Sequence, residues 1–212
     1  MDVMRHDSEA AFTRSLAVPG VIEVCELRSR FGFMAYHGGA LEEGTDRIAR
    51  AAAEVAGASL YAVLHPPPDP AHIPSTLVRP AESPALASFI AHVEVVVTIH
   101  GYGRWGMFTA LLLGGRNREL ADQLGVELAA ALPDYDIVTD VDRIPPALRG
   151  QHPDNPVNLP PFAGVQVELP PRVRGLGPKW AHWTADDPVP PMAALIDALA
   201  RVASAWARAE RP

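Results

Sequence analysis

Apolar positions along the chain recur with two different periods, and together they predict strands that alternate with helices. Runs rich in apolar or β-branched residues, typical of buried strands, occupy 31–36, 59–64, 94–99 and 107–113. Strict or partial alternation predicts further strands over 21–27, 136–139 and 164–169. Apolar residues three or four positions apart predict helices over 46–57, from 83 onward, over 117–132 and from about 191 onward. This order predicts an α/β fold with a mixed, mostly parallel sheet flanked by helices.

Two segments carry no such period. Residues 1–18 are expected to be loosely ordered, and residues 141–163 form a long loop rich in proline, asparagine and histidine. A loop of that length inside a compact domain is usually functional or disordered. Because 212 residues suffice for one α/β domain with a sizeable core, we expect a single α/β domain over 1–212.

Composition narrows the possible partners. The net charge of −7 and the absence of a basic run argue against nucleic-acid binding. Cys25 is the only cysteine, which excludes a disulfide framework and a cysteine-based zinc cluster. Since no run approaches the ~20 apolar residues of a membrane span, and no signal segment is visible, we expect a cytoplasmic protein without membrane contact. The oligomeric state stays open.

The most informative stretch follows the predicted strand 31–36. It reads Tyr36-His37-Gly38-Gly39-Ala40-Leu41-Glu42-Glu43-Gly44-Thr45, with an imidazole and a carboxylate five residues apart among glycines. Glycines permit the tight backbone that would bring both side chains to one ion, and Thr45 is expected to cap the next helix. The alternative is a glycine-rich turn whose polar side chains face water.

Residues of metal-ligand type also follow a second predicted strand. His37 and Glu42 come after strand 31–36, and His100 comes after strand 94–99. Two histidines and one glutamate form a catalytic zinc set, because three protein ligands leave a position for a water molecule that the ion acidifies. Glu168, near the end of strand 164–169, is the candidate general base. The sequence thus predicts a zinc-dependent hydrolase.

These motifs resemble those of the poly-γ-glutamate hydrolase family, which is similar in fold to the zinc carboxypeptidases. The resemblance covers residues 31–174 and rests on His37–Thr45, Ile99-His100-Gly101, Gly114-Gly115, Asn158, Gly164–Pro170 and Arg174. It implies that His37, Glu42 and His100 bind zinc, that Glu168 is the catalytic carboxylate, and that a γ-glutamyl polymer is the substrate. Glu43 competes with Glu42 as the ligand, although the five-residue offset from His37 favours Glu42.

Substrate contacts are less well defined. Arginines near the predicted loops could hold a substrate carboxylate or a developing oxyanion, because the guanidinium fork matches both. The candidates are Arg104, Arg116 and Arg174, together with Asn158 from the resemblance. Surface arginines in water are the alternative. The remaining histidines, namely His65, His72, His92, His152 and His182, are expected at the surface or packed in the interior.

Three other functions compete with this hypothesis. A His-Gly-Gly stretch also occurs in the oxyanion loop of serine esterases, but no serine here lies in a G-x-S-x-G elbow. A zinc amidohydrolase or carboxypeptidase acting on small peptides or acyl-amino acids would use the same four residues. A non-catalytic metal-binding protein would be expected to lack one of them, and all four are present.

Overall fold

A seven-stranded sheet forms the centre of the protein in the computed structural model, which describes residues 10–68, 70–183 and 187–208. Its strands are β1 (Ile22–Glu26), β2 (Phe31–Gly39), β3 (Ser59–His65), β4 (Val95–Gly101), β5 (Ala110–Leu113), β6 (Asp136–Val138) and β7 (Gly164–Leu169). The order across the sheet is β1-β3-β2-β4-β7-β5-β6. Strands β3, β2, β4 and β7 run parallel, whereas β1 pairs antiparallel with β3 and β5 pairs antiparallel with β7. The predicted mixed, mostly parallel sheet is confirmed.

Helices cover both faces of this sheet. They are α1 (Ala11–Leu16), α2 (Thr45–Ala56), α3 (Pro84–His92), α4 (Arg118–Ala131) and α5 (Pro190–Arg208). One hydrophobic cluster joins the sheet to α2, α4 and α5, and a second joins it to α1 and α3. Strand β2 serves both clusters, since Phe31 and Phe33 enter the first while Met34 enters the second, as the two-residue period of a strand requires. No helix in the described ranges is long and apolar enough to cross a membrane.

The central position of β4 determines where the site lies. Its residues from Val95 to His100 are all buried, and it pairs in parallel with β2 on one side and β7 on the other. In the β4–β7 register, His100 lies opposite Glu168. Because parallel strands end at the same edge of a sheet, the polar residues at their carboxyl ends come together there.

Two sequence expectations need correction. Within residues 10–18 the chain forms α1 rather than a loose segment, because Phe12 is buried and its N–H donates to the Glu82 carboxylate at 2.8 Å; residues 1–9 lie outside the described part. The strand expected over 107–113 begins only at Ala110, since Tyr102 Oη holds the preceding turn through the carbonyls of Met107 and Ala110.

The proline-rich segment 141–163 is ordered as a series of turns. It contains the 3₁₀ helices Val141–Arg143, Pro146–Leu148 and Pro156–Asn158. Side-chain amides hold these turns together: Asn158 Nδ2 donates to the carbonyls of Gly150 and His152 at 2.7 and 2.9 Å. The segment forms one wall of the cleft described next.

Candidate active site

A bulge at the end of β2 brings two consecutive side chains to the same place. Ala35 pairs with Ala62 of β3, but Gly38 pairs with Leu64, so three steps on β2 match two steps on β3. In a regular strand Tyr36 and His37 would point to opposite faces. Here their rings lie 4.8 Å apart, and both lie about equally close to the ring of His100, at 4.9 and 5.0 Å between centroids. The bulge therefore builds part of the site.

The Glu42 carboxylate lies between the two imidazoles. Its Oε1 is 3.0 Å from His37 Nδ1, and its Oε2 is 3.1 Å from His100 Nδ1. The Gly101 N–H also donates to Oε2, at 2.9 Å. His37 and His100 are almost fully buried. Among the described residues, these three side chains form a group whose donor atoms lie within 4.8 Å of one another and could hold a metal ion.

The loop that carries Glu42 is held by its own backbone and by the following helix. Gly39 and Gly44 both have positive φ, at 69° and 88°, a conformation that favours glycine. Asp46 Oδ1 accepts from the Gly39 N–H at 3.1 Å. Thr45 does not cap the helix as expected: Gly44 occupies the cap position, and the Thr45 hydroxyl donates to the Glu42 carbonyl at 2.8 Å.

Glu43 points away from this group. Its side chain is exposed, and its carbonyl accepts a hydrogen bond of 2.7 Å from Nη1 of Arg174. Arg174 itself is buried, and its guanidinium lies so close to Gly101 that a Cβ there would be 2.6 Å from Cζ. This arginine therefore fixes the loop between β2 and α2 against the end of β4.

Glu168 lies beside this group on β7 and is also buried. Its Oε1 accepts from Gln166 Nε2 at 2.8 Å. Burial raises the pKa of Glu168 to about 7, with the charge of Glu42 adding to the effect while His100, Gln166 and Arg174 oppose it. A carboxyl group with a pKa near neutrality can both accept and release a proton under ordinary conditions.

The ionisation of the histidines differs. Burial lowers the pKa of His37 to about 4 despite the Glu42 carboxylate beside it. Burial also acts to lower the pKa of His100, but the charges of Glu42 and Glu168 outweigh it and the pKa is raised. Burial acts to raise the pKa of Glu42, yet His100 and His37 hold it well below its usual range. Glu42 is therefore an anion between two imidazoles.

These donors fit a metal ion. His37 Nε2 lies 3.1 Å from the Ile73 carbonyl, which can only accept, so the ring proton is on Nε2. A neutral His37 then turns its Nδ1 lone pair towards a carboxylate oxygen 3.0 Å away, and a cation held between these two acceptors would stabilise the arrangement. Two imidazole nitrogens and one carboxylate are ligands of catalytic zinc sites, where they bind at about 2.0–2.2 Å.

A cleft of about 820 Å³ opens over this group. Its floor includes His37, Glu42, His100 and Glu168, and its wall comes from residues 146–152 of the proline-rich segment. Of the proposed substrate-binding residues, Arg104 and Arg116 are exposed and stand outside the lining, with Arg116 in a separate depression beside Glu119. Asn158 is occupied by the carbonyls of its own segment and by the Arg116 N–H, and Arg174 is occupied by Glu43.

Four residues near the site were given no role there by the sequence analysis, which expected His72 at the surface or in the interior. His72 lies at the cleft with its ring 4.5 Å from that of His37 and its Nε2 4.0 Å from Glu42 Oε1. Tyr36 bonds to His100 and Gln166 bonds to Glu168, and Asn155 joins Tyr36 to Gln166; Asn155 and Gln166 also line the cleft. Gln166 could have been found, because it is two residues from Glu168 on the same face of a strand. His72 and Asn155 lie on loops, where the sequence offers no period.

The sequence matches a known protein family, and the fold is similar to those of known proteins. The sequence profile described as poly-gamma-glutamate hydrolase matches residues 17–176. The fold is similar to a bacteriophage poly-gamma-glutamate hydrolase, with a TM-score of 0.76 at 20% identity over 92% of this chain and 94% of that one. It is also similar to YNDL in its apo, zinc-free form, with a TM-score of 0.68 at 20% identity over 86% and 88% of the two chains.

A more distant similarity is to the N-formylglutamate amidohydrolase of Ralstonia eutropha JMP134, with a TM-score of 0.51 at 12% identity over 87% of this chain and 96% of that one. No curated protein matches the sequence. The family profile spans His37, Glu42, His100 and Glu168 and covers about three quarters of the chain. The chain belongs to the poly-gamma-glutamate hydrolase family.

Proposed function

We propose that this protein hydrolyses γ-glutamyl amide bonds of poly-γ-glutamate, with zinc held by His37, Glu42 and His100 and with Glu168 as the general base. The observation that carries the proposal is the buried His37–Glu42–His100 group on the floor of an open cleft, with Glu168 paired opposite His100. When bound, zinc in such a three-ligand site acidifies a water molecule and polarises a carbonyl.

The residues of the chain supply the remaining steps. Glu168 accepts the proton of the attacking water and returns it to the leaving amine, which its pKa of about 7 permits in both directions. Glu42 supplies negative charge to the ligand set, and the hydrogen bond of His37 to Ile73 keeps the imidazole in the orientation that a ligand needs. Arg174 holds the Glu43 carbonyl and with it the Glu42 loop, and its contact with substrate stays a prediction.

A γ-glutamyl polymer is supported by the family, by the phage hydrolase of similar fold and by the open cleft. The second candidate is a smaller acyl-amino acid or peptide. It is favoured by the similarity to an N-formylglutamate amidohydrolase, a protein whose name describes a small acyl substrate. Both candidates place a carboxylate next to the scissile amide, so the chemistry at Glu168 is the same.

The test combines metal analysis with substrate choice. We expect one zinc per chain in wild-type protein and a loss of stoichiometric zinc in His100→Ala. Poly-γ-glutamate should be cleaved to short oligomers in a chelator-sensitive way. Glu168→Gln should retain zinc while its rate falls by about 10² to 10⁴, as expected when a general base is removed.

Different outcomes separate the candidates. Cleavage confined to N-acyl amino acids or α-linked peptides would show that the protein acts on the small substrate and not on the polymer. Full zinc binding in His100→Ala would refute the ligand set. Near-normal turnover by Glu168→Gln would show that Glu168 is not the general base. Zinc binding without hydrolysis of any of these substrates would indicate a non-catalytic metal-binding protein.

A further inference from the structure

Buried polar side chains connect His100 to Glu168 along the floor of the cleft. His100 Nε2 lies 3.0 Å from Tyr36 Oη, which lies 3.3 Å from Asn155 Oδ1. Asn155 Nδ2 donates to Gln166 Oε1 at 2.9 Å, and Gln166 Nε2 donates to Glu168 Oε1 at 2.8 Å. None of these five residues is more than 4% exposed. The chain of hydrogen bonds therefore joins a proposed ligand to the proposed base through buried side chains.

One backbone group determines the direction of every bond in this chain. The Val157 N–H can only donate, and it lies 3.2 Å from Asn155 Oδ1, which identifies the oxygen of that amide. The Asn155 amino group must then face Gln166 Oε1, and the Gln166 amino group must face Glu168. The Tyr36 hydroxyl donates to the same Asn155 oxygen, so its own oxygen can accept a proton from His100 Nε2.

The direction of these hydrogen bonds has consequences for His100 and for Glu168, the two ends of the chain of bonds. Where a metal ion replaces the Nδ1 proton, His100 would keep its other proton on Nε2 and offer the ion its Nδ1 lone pair, on the side that faces Glu42. Glu168 has Oε1 occupied by Gln166, so Oε2 is the oxygen available to accept a proton. We propose that Tyr36, Asn155 and Gln166 are positioning residues that act as one unit on His100 and Glu168. This proposal rests on the function proposed for the site.

The proline-rich segment 141–163 supplies the contacts that hold Asn155 and Gln166. Asn155 precedes the 3₁₀ helix Pro156–Asn158, and its side chain caps that turn through Val157. Gly150 has a φ of 62°, and a Cβ there would lie 2.7 Å from Gln166 Oε1. The Leu148 carbonyl accepts a second, longer bond from Gln166 Nε2, at 3.4 Å. Contacts this close hold the Gln166 amide in one orientation, as a positioning role requires.

The two ends of the unit can be tested separately. Gln166→Met removes the donor to Glu168, and kcat should fall at least tenfold while KM and the zinc Kd change less than about threefold. Tyr36→Phe removes the acceptor of His100 Nε2–H, and the zinc Kd should rise by about 10- to 100-fold. Zinc affinity is measured by competition with a chromogenic chelator, and folding by thermal denaturation.

The matched control is Gln123→Met. Gln123 is exposed on α4, where its Nε2 donates to Glu119 at 3.3 Å, so the same substitution removes the same kind of bond far from the cleft. We expect kcat, KM and zinc Kd to stay at wild-type values. This comparison removes the general effect of replacing glutamine by methionine.

Asn155→Asp tests whether the unit acts as a whole. Aspartate keeps the oxygen for Val157 and Tyr36 but cannot donate to Gln166, so the bond that orients the Gln166 amino group towards Glu168 is lost. We expect a fall in kcat similar to that of Gln166→Met, and no further fall when the two substitutions are combined, because residues that act through one chain are not additive.

Two results would overturn the proposal. One is an unchanged kcat, per folded and zinc-loaded enzyme, in both Gln166→Met and Asn155→Asp, with only the melting temperature lowered. The other is an unchanged zinc Kd in Tyr36→Phe. If the wild-type protein binds zinc but hydrolyses no γ-glutamyl substrate, the proposed function fails, and the zinc affinity of Tyr36→Phe still decides the His100 half.

Discussion

Glu168 is a carboxyl group whose proton affinity changes on folding. Burial is the largest cause, and it raises the pKa of Glu168 from 4.5 to about 7. Between these two values the folded protein retains a proton that the unfolded chain has released. The free energy of unfolding therefore falls as the pH rises through this window, because the native state binds more protons than the unfolded state.

Replacing this carboxyl by an amide should remove that pH dependence. In metal-free protein, Glu168→Gln should gain stability relative to wild type as the pH rises from 5.5 to 8, by about 2 kcal/mol in total. Urea denaturation at several pH values measures the difference. Glu54→Gln, an exposed change on α2, is the control and should stay within about 0.5 kcal/mol of wild type. A constant difference between Glu168→Gln and wild type would contradict the burial argument.

At this scale, residue type and position were enough to predict which groups meet. His37, Glu42, His100 and Glu168 all follow or end strands, and the structure brings them together because these strands share one carboxyl edge. The orientation of Arg174 could not be predicted, since nothing in the sequence shows that its guanidinium turns inward to the Glu43 carbonyl. The place of Tyr36 in the site could not be predicted either, because in a regular strand its side chain would point to the face opposite that of His37.

At the level of elements, the pairing of β4 with β7 places His100 opposite Glu168, and it depends on a residue without a side chain. A Cβ at Gly164 would lie 2.1 Å from the Val96 carbonyl oxygen in the neighbouring strand. Backbone on both sides leaves little room for relaxation. Gly164 therefore lets two central strands approach closely just where β7 begins.

Gly164→Ala should separate these strands. We expect a loss of about 1–3 kcal/mol or more in the free energy of unfolding, as for other overpacked sites. Zinc affinity and kcat should fall together, because His100 and Glu168 lie in the affected pair of strands. Gly103→Ala is the control, since a Cβ there meets nothing within 4 Å. A stable Gly164→Ala variant with full activity would show that the strands can shift without moving the site.

Element type and order were predictable from periodicity, whereas several local features were not. The buried runs of β2, β3 and β4 and the helical stripe of α5 carry strong patterns that match their surroundings in the structure. The bulge in β2 depends on pairing with β3, and the 3₁₀ turns of 141–163 depend on side-chain amides such as Asn158. Such features follow from tertiary contacts, so a local pattern cannot report them.

For the whole molecule, a metal that joins β2, its following loop and β4 should stabilise the fold. The unfolded chain does not bring His37, Glu42 and His100 together, so zinc at the proposed site would bind the native state selectively. At a free zinc concentration of about 100 times Kd, the gain is about 2.7 kcal/mol, or about 5–10 °C in melting temperature for a chain of this size. Scanning calorimetry with zinc and with chelator measures it. Equal melting temperatures would contradict selective binding.

The charge of the whole protein bears on its proposed polymeric substrate. The chain carries a net charge of −7, and poly-γ-glutamate is itself a polyanion, so the two repel at long range. Raising the ionic strength from about 0.01 to 0.15 M shortens the Debye length from about 30 to 8 Å. We therefore expect kcat/KM on poly-γ-glutamate to rise with salt, and to change much less on a short γ-glutamyl peptide with few carboxylates. Steady-state kinetics at matched pH and zinc measure both. A kcat/KM that falls with salt on the polymer alone would contradict this expectation. It would indicate that local cationic groups attract the substrate strongly enough to outweigh the net charge, and Arg104 and Arg116 would be the first residues to substitute.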